Sequence, residues 1–136
     1  MSYLFEGLEP EQVWKIFEEI SKIPRCSKNE EKVQDYLRKW AQDHELGYKK
    51  DEVGNVLLTR EPAPGYSSTP VLLFQAHQDM VCEKTPESSH NFKTDPIQII
   101  IDSGKIKAYN TSLGADNGLG MALAMAILID ENLENS

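Results

Sequence analysis

The chain is short of positive charge and cysteine and has no long apolar run, and each shortage removes a class of function. Lys and Arg number 14 against 22 Asp and Glu, a formal net charge of -8 with an isoelectric point near 4.8. Such a surface has little with which to neutralise a phosphate backbone, so nucleic acid is not an expected partner. The acidity is compatible with cation binding, but most acidic proteins are simply soluble acidic proteins. No apolar run approaches the roughly 18 residues needed to span a bilayer, so no membrane partner is expected. The start Met1-Ser2-Tyr3-Leu4-Phe5-Glu6 has neither a basic stretch nor a long apolar one, so no signal peptide is expected. The two cysteines, Cys26 and Cys82, form no Cys-x-x-Cys pair. Reduced cytoplasmic thiols are the expectation, without a structural disulfide. Internal repeats and low-complexity tracts are absent as well.

What is present is a core-forming composition. The chain has 136 residues, 40% of them hydrophobic and 26% charged, which suits one folded domain. Pro10 opens a helical stretch whose apolar face is Val13, Trp14, Phe17, Ile20 and Ile23, and Pro24 stops it. Ser27-Lys28-Asn29-Glu30 reads as a capping box for a second helix. That helix carries the stripe Val33, Tyr36, Leu37 and Trp40, with Gly47 as its terminator. Gly54-Asn55 reads as a turn before a short strand Val56-Leu57-Leu58. Val71-Leu72-Leu73-Phe74 reads as a strand buried on both faces. A polar loop fills 82–96. Segments 97–101 and 105–109 flank Asp102-Ser103-Gly104 as a hairpin. Segment 119–128 reads as a buried helix after a glycine-rich turn. The fold class is therefore α/β, a mixed sheet with flanking helices. It looks incomplete, because a strand as apolar as 71–74 calls for cover and would leave an open edge.

Two motifs carry chemistry. His77-Gln78-Asp79 follows the apolar strand, where open α/β sheets gather function. On extended backbone His77 and Asp79 point the same way. A metal-ligating His usually has its other ring nitrogen held by a carboxylate or carbonyl, a role open to Asp79. The second motif is Gly114-Ala115-Asp116-Asn117-Gly118-Leu119-Gly120. Asp116 in that turn is a possible oxygen ligand for a cation. A phosphate cradle competes, but the loop has no Lys or Arg and no Gly-Lys-Ser/Thr, and Asp116 would repel phosphate. The plain alternative is an Asp N-cap with glycines serving packing. His44 near a helix end, His90 in a polar loop and Cys82 read as ordinary structural or solvent-exposed groups.

Together the motifs are more specific. Leu73-Phe74-Gln75-Ala76-His77-Gln78-Asp79-Met80-Val81, then Lys84, Asp95-Pro96-Ile97 and Leu113-Gly114-Ala115-Asp116-Asn117-Gly118-Leu119-Gly120 resemble the aminoacyl-histidine dipeptidases in order and spacing. These are the cytosolic nonspecific or β-Ala-His dipeptidases of the zinc aminopeptidase/carboxypeptidase-like superfamily. Ile23-Pro24-Arg25-Cys26-Ser27-Lys28-Asn29-Glu30-Glu31 resembles their N-terminal signature. The resemblance implies a cytoplasmic, two-zinc hydrolase of dipeptides of the Xaa-His type. His77 would be a ligand of one zinc, Asp116 the carboxylate bridging both, and Asp79 the catalytic Asp that orients the His. Asp116-Asn117 would carry the cis peptide of related enzymes. The family's general base and remaining ligands lie downstream of the bridging Asp. Asp130, Glu131 and Glu134, the acidic residues after Asp116, do not match their context. Residues 1–136 are accordingly expected to be the N-terminal portion of the metallopeptidase catalytic domain, without the dimerisation domain that would make a full-length parent a homodimer. The alternative is a non-catalytic truncated fragment that folds and self-associates through its open edge.

Overall fold

The computed structural model describes residues 3–133. Glu134 and the start Met1-Ser2 therefore lie outside the described residues. The elements run α1 (Glu11–Ser21), α2 (Glu31–Asp43), β1 (Gly47–Lys50), β2 (Val56–Thr59), β3 (Ile99–Asp102), β4 (Lys105–Ala108) and α3 (Ala115–Ile129). The α/β class holds: the described residues form helices and two small sheets, each an antiparallel pair. Among the described residues, parallel pairing occurs only as an isolated bridge between Cys26 and Met80.

The core is built by helical periodicity. Val13, Ile16, Phe17 and Ile20 recur at the spacing that lines one helix face, and all are buried on α1. Val33, Leu37 and Trp40 do the same on α2, and Met121, Ala122 and Met125 on α3. Phe5 closes the cluster, its ring 5.3 Å from Trp14 and 6.0 Å from Phe17. Trp14, Ile23 and Tyr36 pack at its margin. The hairpin of β3 and β4 turns through Ser103 (φ 51°) and Gly104 (φ 74°), the left-handed pair that suits a two-residue turn.

Four expectations are corrected. Ser27 does not cap α2; the helix starts after Glu30 without a side-chain cap, and the Ser27 hydroxyl donates to Asp79 instead. Glu30 does not reach the Ser27 N–H either, which goes to the Met80 carbonyl; it accepts from the Lys28 N–H at 2.7 Å. Gly47 does not end α2. The chain turns at Glu45 (φ 56°), where the Leu46 N–H closes on the Ala41 carbonyl at 2.8 Å, and Gly47 opens β1. The third concerns Val71, Leu72, Leu73 and Phe74, which are 82%, 62%, 77% and 54% exposed rather than buried. They belong to no ladder, so an apolar extended run stands without a partner among the described residues. Finally, Cys26 and Cys82 are joined in a disulfide, with Cα atoms 5.6 Å apart. The bridge of Cys26 to Met80 lays the two segments side by side, which brings the sulfurs together despite a sequence separation of 56.

Candidate functional site

The segment carrying His77 and Asp79 is held by backbone pairing to the stretch after α1. The Met80 N–H donates to the Arg25 carbonyl at 3.0 Å, and the Ser27 N–H to the Met80 carbonyl at 3.1 Å. The Gln78 amide donates to the Gly54 carbonyl at 2.8 Å, tying the same segment to the β1–β2 turn. Asp116 arrives from the other side. Gly114 (φ 76°) turns the chain into α3, and the non-proline peptide Asp116-Asn117 is cis. Asp116 and Asn117 have non-helical backbone angles within the first turn. Asp116 is therefore not a helix N-cap, a place taken by Gly114.

These supports bring the three sequence-derived candidates together. His77 Nδ1 lies 3.1 Å from Asp79 Oδ1 and 3.1 Å from the Asp79 carbonyl oxygen. His77 Nε2 lies 3.0 Å from Asp116 Oδ1. The side chains of His77 and Asp116 are 51% and 96% exposed, so the pair faces solvent rather than the core. The contact with Asp116, then those with Asp79, raise the His77 pKa above its ordinary 6.5. The hydrogen bond from Ser27, followed by that from His77, lowers the Asp79 pKa.

The arrangement has a definite chemical requirement. If Nδ1–H donates to Asp79, a neutral imidazole turns the lone pair of Nε2 toward Asp116. A lone pair and a carboxylate at 3.0 Å repel unless positive charge lies between them. A proton on Nε2 meets that need, and so does a cation. The donor set suits zinc, which takes imidazole nitrogen and carboxylate oxygen at about 2.0–2.2 Å. Two such donors on one tetrahedral ion sit about 3.3 Å apart, within a few tenths of the observed separation. The count is short, however: no cluster of three or more His, Cys, Asp or Glu able to hold a metal occurs among the described residues.

The glycines of the turn serve packing rather than phosphate. A Cβ on Gly114 or Gly118 would stand 2.7 Å from Arg25 Nη2, and one on Gly120 would run into the Asn117 amide. Arg25 was invisible as a functional residue in the sequence, where it is one basic residue in a polar stretch. Its signal was its place directly after the helix-stopping Pro24, beside a cysteine and within the signature stretch. Lys84, without a role from sequence, donates to the His90 carbonyl at 2.7 Å. His90 itself is half-buried against Phe92, ring centroids 4.5 Å apart, rather than solvent-exposed. His44 stacks on Trp40 and its Nδ1 meets the Trp40 carbonyl at 2.8 Å.

No protein-family model matches the chain. It is 42% identical over 126 residues to the cytosol non-specific dipeptidase of Escherichia coli (strain K12), covering 93% of this chain and 26% of that protein. The solved aminoacylhistidine dipeptidase of Vibrio alginolyticus superposes with a TM-score of 0.91 at 36% identity, over 97% of this chain and 27% of that one. The chain is similar to part of an aminoacyl-histidine dipeptidase. It spans about a quarter of the length of these two relatives. A tripeptidase from Staphylococcus aureus subsp. aureus mu50 shares the fold, with a TM-score of 0.68 at 23% identity over 87% of this chain and 31% of that one. The resemblance read from the sequence motifs is thus borne out along nearly the whole chain.

Proposed function

We propose that this chain carries part of the site of a zinc-dependent dipeptidase acting on dipeptides of the Xaa-His type, and that it is inactive alone. The observation that carries the reading is the pair His77 Nε2 and Asp116 Oδ1, 3.0 Å apart at the surface with Asp79 behind the imidazole. In this reading His77 and Asp116 would both hold zinc, with Asp116 as the carboxylate shared within a two-zinc site. Asp79 fixes the imidazole by accepting from Nδ1–H, leaving Nε2 free to bind. Ser27 in turn holds the far oxygen of Asp79. Bound zinc supplies Lewis acidity, polarising a carbonyl and acidifying water. A general base and further donors are needed from outside these residues. Residues 1–136 would be the N-terminal portion of the catalytic domain, and a homodimer would belong to a longer parent.

A cytoplasmic location goes with this proposal. A second reading, a non-catalytic fragment that self-associates, is favoured by the bare apolar run 71–74.

The test is a zinc titration of the chain followed at the His77 ring by NMR, with a β-Ala-His hydrolysis assay beside it. The expected result is weak binding at His77, abolished by His77→Ala or Asp116→Ala, with no hydrolysis. Binding that survives both substitutions, or no perturbation of His77 at millimolar zinc, sinks the metal reading. Zinc-dependent hydrolysis by the chain alone sinks the claim that the site is partial.

A further inference from the structure

The strongest unassigned feature lies directly beneath the site. Arg25 is 1% exposed, among the largest fully buried side chains described. A buried guanidinium is expected to have a carboxylate partner, yet no ion pair to Arg25 occurs among the described residues. Its hydrogen bonds go to three backbone carbonyls. Nη1 donates to the carbonyls of Gln78 and Asp79, both at 3.1 Å, and Nη2 to that of Gly114 at 2.6 Å. The first two belong to the segment of His77, and the third to the turn that presents Asp116. These segments are far apart in sequence; the Lys84–Thr111 bridge joins their continuations, but no ladder joins Gln78 or Asp79 to Gly114 themselves.

We propose that Arg25 is a positioning residue whose planar fork sets the distance between His77 and Asp116 by clamping the two backbone segments that carry them. Its functional meaning rests on the reading of that pair as zinc donors. Two further observations point the same way. The glycines at 114 and 118 leave the space that the guanidinium fills, since a Cβ at either would press on Nη2 at 2.7 Å. The Arg25 main chain is itself paired to Met80, so the clamp is anchored at its base. Burial lowers the Arg25 pKa to about 10, which leaves it charged and fully donating at neutral pH. Lysine cannot substitute, because a single ammonium lacks the rigid fork that reaches carbonyls on two sides. The fork makes no hydrogen bond to the imidazole or to either carboxylate, although the Asp79 carboxylate lies near enough to favour its charge.

The test uses the 136-residue chain and two variants, Arg25→Lys and Gly118→Ala. The second keeps the arginine but takes its space, so it remains informative if the first fails to fold. Two readouts are needed: the NOE between the His77 ring and the Asp116 Hβ protons without metal, and the zinc affinity at the His77 ring. The expected result is loss of the NOE and a tenfold to hundredfold drop in zinc affinity. In Arg25→Lys the methyl resonances of Ile16, Ile20, Val33 and Leu37 should stay in place, which a merely structural role for Arg25 would not allow; Gly118→Ala does not serve this control, because its Cβ also stands 3.3 Å from the Phe17 ring. An unchanged NOE and affinity in folded variants overturns the clamp. Loss of the NOE in the variants, with no zinc binding even in the parent chain, supports the clamp and removes the metal reading instead.

Discussion

Two apolar stretches of this chain meet opposite fates. Met121 and Met125 of α3 are 5% and 4% exposed, because α3 lies against α1 and the two share the cluster around Phe17. The run 71–74 is at least as apolar, yet each of its four side chains is more than half exposed. Hydrophobicity states a demand for burial but does not name the surface that meets it. The helices find theirs within the chain. The extended run does not find one among the described residues, and it leads straight into Ala76 and His77. One side of the molecule is therefore finished by its own core, and the other, the site side, presents bare apolar side chains beside bare polar donors.

The comparison is broken most forcefully on the core side. Phe17→Ala should remove about 3–5 kcal/mol of stability, as large-to-small changes at fully buried aromatics do. The measurement is a denaturant midpoint. A loss below about 1 kcal/mol would mean that the helical cluster is not the finished half it is taken to be. Next in size is the disulfide, which fastens the end of the site segment to the stretch after α1. Cys82→Ser should cost about 2–4 kcal/mol under oxidising conditions, mainly by freeing the unfolded chain. The same variant should cost almost nothing in reductant, since the parent then lacks the bond too. An equal loss in both conditions would show that packing of Cys82, rather than the covalent link, is what matters.

The same contrast explains what could be read from the residues alone. Val13, Phe17 and Ile20, or Val33, Leu37 and Trp40, announce a helix face because the pattern and its partner lie in one chain. The hairpin around Ser103 and Gly104 is equally local, set by backbone preference within a few residues. Val71-Leu72-Leu73-Phe74 announces a buried strand by composition, but its cover is not a local property and is not met here. His77, Asp79 and Asp116 were legible as candidates by motif, and the fold brings them into one constellation. Arg25 and Ser27 were not legible in their roles. Ser27 fits a capping box by spacing, and only the parallel pairing with Met80 turns its hydroxyl toward Asp79. The Arg25 fork meets main-chain carbonyls, whose positions leave no mark on residue identity. The disulfide was missed for a similar reason, since the bridge that aligns Cys26 with Cys82 is a tertiary event.

A smaller effect sharpens the site side. Leu73 is largely exposed, so Leu73→Lys should leave the stability of the monomer within about 0.5 kcal/mol. It should, however, reduce self-association and dye binding to exposed apolar surface, because a charge on an unpaired edge discourages pairing. Sedimentation across a concentration series reads the self-association, and a denaturation curve reads the stability. A monomer destabilised by more than about 2 kcal/mol would mean that Leu73 is buried in solution, and the contrast with α3 would disappear.

The finest effect is electrostatic and lies at the end of that same segment. The His77 pKa is raised chiefly by Asp116 and then by Asp79, so the folded chain holds the imidazole proton more tightly than the unfolded one. The sign follows from linkage: the stabilisation is complete below the unfolded value near 6.5 and is lost as pH rises through the raised folded value. Asp79, whose pKa is depressed, works in the opposite sense, and its contribution is lost as pH falls through its folded value. Asp116→Asn should therefore lower the His77 pKa in an NMR titration while leaving the Asp79 contact in place. Asp79→Asn should lower it as well, because the Asp79 carboxylate also raises it by hydrogen bond and charge. An unmoved His77 in Asp116→Asn would show that the 3.0 Å contact is not held in solution. Proton and zinc compete for the same Nε2 lone pair, so the proposed weak zinc binding should strengthen as pH rises through the His77 value. Zinc affinity that is flat across that interval would place the metal elsewhere and leave His77 and Asp116 as a proton-bridged pair.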